Sequence, residues 1–147
     1  MKILYLCTGN SARSLMAEAF TKSMLPAAAP IEVFSAGTKP RGVHPETVAV
    51  MKEAGIDMSG FASKGIQQVP LDSIDLVVTL CDDARLSCPA VPGAVQRIHW
   101  SLRDPAEATG TPEQVRGRFR AARDEVLACV KKLMFELATT RSLRLER

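Results

Sequence analysis

The spacing of apolar residues changes several times along the chain, and each change marks an element. Residues 2–6, Lys-Ile-Leu-Tyr-Leu, are a short, mostly apolar run and predict a strand. From about Leu15 to Leu25 the period becomes helical, with Met16, Ala17, Ala19, Phe20 and Met24 recurring, until Pro26 to Pro30 ends it. Ile31 to Phe34 reads as a second strand, closed by Ser35-Ala36-Gly37. Residues 38–43, with Pro40 and Gly42, read as loop. His44-Pro45 opens a second helix in which Val48, Met51 and Ala54 share a face, and Gly55 is placed to cap it. Ile56 to Ser73 shows no steady period. Ile74 to Leu80 is a nearly continuous, Val-rich run, the pattern of a strand buried on both faces. Val95 to Trp100 is a weaker fourth strand. Thr111 is a predicted N-cap, with Pro112 at the first helical position. The helix it starts is expected to reach about Leu137, with a loose tail from Thr139.

Strands alternating with helices predict an α/β fold: a single domain over 1–147, with a parallel sheet of about four strands and helices on both faces. Ligands of such sheets bind beyond the carboxyl ends of the strands. Cys7, Ser35, Cys81 and Asp104 each lie at or just past such an end, so they are expected to share one edge.

Composition adds limits rather than direction. Hydrophobic residues make up 46% and charged residues 24% of the 147, as in ordinary globular domains. The net charge of +3 gives no reason to expect a nucleic-acid partner. Arg116, Arg118, Arg120, Arg123, Lys131, Lys132, Arg141, Arg144 and Arg147 crowd toward the end, the pattern of a solvated helix face and tail. The first apolar run is too short for a signal peptide, and no stretch has transmembrane length. A cytoplasmic protein with no membrane partner is expected. Thiols there are kept reduced, so four cysteines point to catalysis, redox work or metal before structural disulfides.

The chemistry concentrates after the first strand, in Cys7-Thr8-Gly9-Asn10-Ser11-Ala12-Arg13-Ser14. A thiol ends a buried strand, and an arginine follows six positions later at a helix start. Backbone N–H groups from Thr8 to Ser14 at that helix end form a candidate anion nest. The helix end and Arg13 both favour the thiolate, which makes Cys7 a candidate nucleophile. Gly9 permits close backbone approach, Asn10 tolerates positive φ, and Ser14 is placed to donate to the sulfur. A second cluster, Cys81-Asp82-Asp83-Ala84-Arg85-Leu86-Ser87-Cys88-Pro89, sets two thiols seven apart in a polar segment. A zinc site there is disfavoured, because the short Cys spacing of zinc sites is missing and His44 and His99 are isolated. Cys129 sits among Val126, Ala128, Val130 and Leu133 and is assigned to core packing. Asp104, in Arg103-Asp104-Pro105, is a candidate proton donor.

The Cys-x5-Arg-Ser loop resembles that of low-molecular-weight protein tyrosine phosphatases and of the thioredoxin-coupled arsenate reductases that share their fold. Asp104-Pro105 resembles the general-acid Asp-Pro of that superfamily. Ala106-Glu107 follows it here, where the phosphatases typically place aromatic residues, and the chain has one tyrosine, Tyr5. Val-Val-Thr-Leu-Cys81 with Cys88 resembles the resolving-cysteine pair of the arsenate reductases. With Ser35-Ala36-Gly37 and the final helix, the resemblance covers nearly the whole chain. It implies reduction of arsenate, with phosphate or sulfate as mimics, by a relay from Cys7 to Cys81 to Cys88 that thioredoxin regenerates. Arg13 would hold the oxyanion and Asp104 would supply a proton. No tightly bound cofactor and no metal are implied, and a monomer is expected. The alternatives are a low-molecular-weight tyrosine or small-molecule phosphatase, and an idle oxyanion-binding or redox-sensing protein.

Two positions depart from the family pattern. Ala12 stands where many relatives carry a further cysteine, one outside the relay. Some arsenate reductases hold potassium near the loop with Asn, Ser, Thr and Asp; Asn10 and Ser35 match, but Ala62 and Lys64 stand for the later pair. The Lys64 ammonium is expected to replace the ion. Finally, a helix over residues 82–87 would keep Cys81 and Cys88 apart by about 10.5 Å of rise, beyond the roughly 7 Å between Cα atoms that a disulfide allows. Oxidation is therefore expected to unwind 82–88.

Overall fold

The computed structural model of the chain describes residues 1–80 and 96–145. Its elements in order are β1 (Lys2–Cys7), α1 (Arg13–Met24), β2 (Glu32–Gly37), α2 (Pro45–Glu53), β3 (Leu76–Thr79), β4 (Gln96–His99) and α3 (Pro112–Leu145). The strands form one parallel sheet ordered β2-β1-β3-β4. Ile3, Leu4, Tyr5 and Leu6 of β1 are all fully buried. Neighbouring strand residues face opposite sides, so both faces of the sheet are covered. This is the α/β architecture expected from the alternation of periods. β4, at the sheet edge, is half exposed, which explains its weaker apolar signal.

Helix α1 buries Leu15, Met16, Ala17, Ala19 and Phe20. It packs on α3, whose buried stripe is Phe119, Val126, Val130 and Leu133, spaced by whole helical turns. Helix α2 also packs on α3. Arginines of α3 reach across to it: Arg116 bonds Glu46 at 2.8 and 3.1 Å, and Arg120 bonds Glu53 at 2.8–3.2 Å. Arg123 adds Glu53 Oε1 at 3.0 Å and the Val50 carbonyl at 2.9 Å. The Arg120 hydrogen bond is the largest cause that holds the Glu53 carboxyl down at about 2. The crowd of C-terminal arginines is thus partly a helix–helix clamp and not only a solvated face.

The two predicted caps form, and His44 adds an unpredicted one at the start of α2, its Nδ1 accepting from Glu46 N at 3.0 Å. Gly55 follows that helix with φ +82°. Thr111 Oγ1 accepts from Gln114 N at 3.2 Å, while the Gln114 side chain accepts from Thr111 N at 2.9 Å. Other boundaries shift. β2 extends to Gly37, so Ser35 lies inside the strand, paired with Tyr5, rather than at its end. Small residues carry little strand signal, and pairing with β1 decides. Residues 56–73 fold as irregular chain with two short 3₁₀ turns, Ile66–Gln68 and Leu71–Ser73. Helix α3 runs past Leu137 to Leu145, correcting the expected loose tail; no Gly or Pro stands there to stop it. Cys129 is half-buried at the margin of the α3 stripe, a weaker packing role than expected. Among the described residues, no helix is long and apolar enough to cross a membrane.

Tyr5 gives a probe of this core. Its hydroxyl meets Thr21 Oγ1 at 2.7 Å, and Thr21 donates onward to the Ala17 carbonyl at 2.7 Å. The ring lies 5.8 Å from that of Trp100. Burial pushes the phenol up to about 12, with the Thr21 bond opposing in part. The neutral phenol is favoured in the fold, so stability is undiminished below the ordinary 10.0 and falls as pH rises toward 12. Tyr5 is the only tyrosine, so phenolate absorbance reads it alone. Native protein should show no phenolate until pH approaches 12, and denatured protein should titrate near 10.

Candidate active site

The loop after β1 wraps the Cys7 sulfur. Asn10 N donates to Cys7 Sγ at 3.3 Å, and Ser14 Oγ lies 2.8 Å from it. Cys7 is buried, as are Asn10, Ser11, Ala12, Arg13 and Ser14. The amides of Gly9, Ser11, Ala12, Arg13 and Ser14 donate to nothing among the described residues. Buried N–H groups left this way, at the start of α1, are the makings of an anion site. Asn10 adopts φ +43°, the left-handed turn expected of it.

Arg13 is the first residue of α1, at the helix start as expected. Its Nη1 donates to the Leu80 carbonyl at 3.3 Å and to the Leu102 carbonyl at 2.8 Å. Its Nη2 stands 3.5 Å from Asp104 Oδ2. Nε, also buried, has no partner among the described residues. A buried guanidinium N–H without an acceptor is costly, and an oxyanion would satisfy it. Asp104 caps the short turn Pro105–Glu107, its Oδ1 accepting from Ala106 N at 3.0 Å. Arg13 and Asp104 therefore pair past the carboxyl ends of the strands, on the edge where Cys7 ends β1, as the topology demands. Cys81 and Cys88, and the expected helix over 82–88, lie outside the described residues. Leu80, the residue before Cys81, donates its amide to Leu6, the residue before Cys7, at 2.9 Å.

Behind the sulfur runs a directed chain of hydrogen bonds. Ser35 donates to Glu18 Oε1 at 2.6 Å, so its oxygen is left to accept from Asn10 Nδ2 at 3.0 Å. The other Nδ2 hydrogen goes to Ser14 Oγ at 2.7 Å, which leaves the Ser14 proton for the sulfur. Asn10 Oδ1 is fixed by Lys64 N at 2.7 Å. Lys64 Nζ donates to the Ala62 carbonyl at 2.8 Å and lies 3.4 Å from Glu18 Oε1. Lys22 takes the other Glu18 oxygen at 2.7 Å. Nothing in the sequence pattern points to Glu18: on a helix of ordinary composition, a buried carboxylate has no signature. Among the described residues, no three His, Cys, Asp or Glu gather as a metal site. On Cys129, burial, aided by Glu125, pushes the thiol up and disfavours its ionisation.

Gly37 is a second residue whose role emerges only from the contacts. A Cβ there would stand 2.6 Å from Thr8 O and 2.8 Å from Asn10 N. Neither backbone atom can move without deforming the loop. Gly37→Ala should cost about 1–3 kcal/mol of stability, measured by denaturant unfolding.

Comparison with known proteins agrees with this geometry. Residues 2–143 match the model of the low molecular weight phosphotyrosine protein phosphatase family. An arsenate reductase of Halalkalibacterium halodurans is 48% identical over 124 residues, 84% of this chain and 88% of that protein. One from Bacillus subtilis is 48% identical over 126 residues, 85% of this chain and 89% of that protein. A solved arsenate reductase in the phosphate binding state superposes with TM-score 0.76 at 33% identity, covering 92% of this chain and 97% of that one. The YwlE arginine phosphatase from Geobacillus stearothermophilus gives 0.75 at 25% identity, covering 95% and 94%. The two curated relatives above are arsenate reductases, and the chain belongs to the low molecular weight phosphotyrosine protein phosphatase family.

Proposed function

We propose that the protein reduces arsenate to arsenite by a three-thiol relay drawn from Cys7, Cys81 and Cys88. The observation that carries the reading is the 48% identity to arsenate reductases across most of the chain, which joins a cradled Cys7 to a second cysteine pair. The unpaired amides of the loop and Arg13 Nε supply the donors that a tetrahedral dianion requires.

In this reading Cys7 thiolate attacks arsenic, and an oxygen leaves as water with a proton from Asp104. Cys81 thiolate then attacks the Cys7 sulfur. The As–S bond breaks, its electron pair stays on arsenic, and arsenite departs while a Cys7–Cys81 disulfide forms. Cys88 attacks Cys81 and frees Cys7. A dithiol protein of the thioredoxin type reduces the Cys81–Cys88 disulfide and is itself oxidised. Thiols supply both electrons, so the relay as written uses no metal or organic cofactor. It works where thiols are kept reduced, which places it in the cytoplasm. Lys64, beside Glu18, provides a fixed positive charge where some arsenate reductases hold potassium.

The cradle, Cys7, Arg13 and Asp104 equally suit phosphoryl transfer to sulfur followed by hydrolysis, as the family model suggests. The second cysteine pair separates the two reactions. Arsenite formation with thioredoxin, its reductase and NADPH, run beside aryl-phosphate hydrolysis, tests both. Changing Cys81→Ser and Cys88→Ser together should abolish arsenate reduction and leave a weak phosphatase activity. Loss of both activities would mean that the thiols do not have separate roles. Turnover should also be the same in sodium and potassium buffers of equal ionic strength; potassium activation would remove the role given to Lys64.

A further inference from the structure

The loop's open amides imply that something holds its peptide planes against rotation. Four of its carbonyls are bound by backbone amides of the segment after β2. Thr38 N donates to Cys7 O at 3.2 Å, and Lys39 N to Thr8 O at 2.8 Å. Arg41 N donates to Gly9 O at 2.9 Å, and His44 N to Ser11 O at 3.1 Å. In a trans peptide the carbonyl and the next N–H point in opposite directions. Each donor therefore turns the following amide, of Thr8, Gly9, Asn10 or Ala12, away from the segment. One amide shows where they point: the Gly9 carbonyl is held by Arg41, and Asn10 N faces the Cys7 sulfur.

The Ser11 carbonyl has a further partner. Thr47 Oγ1, fully buried on α2, donates to it at 2.7 Å, the shortest of these bonds. Thr47 belongs to a helix that carries no nucleophile, acid or cation of the site. Its hydroxyl nevertheless acts on the peptide that joins Ser11 to Ala12, at the threshold of α1. We infer that Thr47 is a positioning residue: it fixes the Ser11–Ala12 peptide so that the Ala12 amide is presented to the bound oxyanion. Neither its spacing nor its surroundings in the sequence marks it.

The inference rests on the oxyanion reading of the loop but not on arsenate chemistry, so inorganic phosphate is the probe. Thr47→Val keeps the shape and removes the hydroxyl; Thr47→Ser keeps the hydroxyl and removes the methyl. Deleting an oriented donor outright costs about 10²–10³ in kcat; Thr47→Val only loosens the Ala12 amide, because His44 N still holds the Ser11 carbonyl, so a smaller loss is expected. Calorimetry should show phosphate binding at least about tenfold weaker in Thr47→Val and within about twofold of the parent in Thr47→Ser. In turnover, the loss in Thr47→Val should appear in kcat/KM and be rescued by the serine variant, with both variants folded by circular dichroism. Equal phosphate affinity in Thr47→Val and parent overturns the inference alone. A serine variant as weak as the valine one also overturns it, because the methyl packing would then be responsible. A parent that binds no phosphate overturns both the inference and the oxyanion reading.

Discussion

Everything in the site depends on a loop being held open. A chain of small residues around a sulfur would ordinarily collapse onto its own hydrogen bonds or be closed by side chains. Here the carbonyls are bound from outside, by the segment from Thr38 to Thr47, and the amides are left turned toward the sulfur. Gly37 lets that segment lie against the loop, since any Cβ would press on Thr8 and Asn10. Parallel pairing of β1 with β2 brings the two stretches together, because Cys7 and Gly37 are register partners at the strand ends. The sheet and the anion cradle are therefore one construction.

The second support is electrostatic. Glu18 is a buried carboxylate behind the proposed anion cradle, which would be self-defeating if it were unpaired. Lys22 and Lys64 balance it, and Ser35 carries its direction through Asn10 and Ser14 to the sulfur. A carboxylate and two ammoniums behind the loop set which way each hydroxyl points without placing a net negative charge beside the oxyanion.

Much of this architecture is legible in the order of the residues. The period changes locate each strand and most helix bounds, and Gly55 and Thr111 act as the caps their residue types suggest. Cys7, Arg13 and Asp104 are identifiable because reactive residue types at strand ends are informative in a parallel sheet. Ser35, Gly37, Glu18 and Thr47 are less so, or not at all. Their importance comes from contacts between distant segments, and Ser, Gly, Glu and Thr occur everywhere. The end of α3 is illegible for another reason: a solvated polar stretch without Gly or Pro fits both a frayed tail and a continued helix.

Arg13 commits part of its hydrogen-bonding capacity to the scaffold. Its Nη1 ties the chain after β3, at Leu80, to the chain after β4, at Leu102, while Nη2 faces Asp104. Substituting it would thus remove a positive charge and unfasten two loops in the same stroke. Any kinetic deficit in such a variant would be a sum that a single measurement cannot divide. Lysine would retain the charge yet lack the planar fork needed to bridge two carbonyls. The arginine is as much a fastener of this edge as a reagent in the proposed relay.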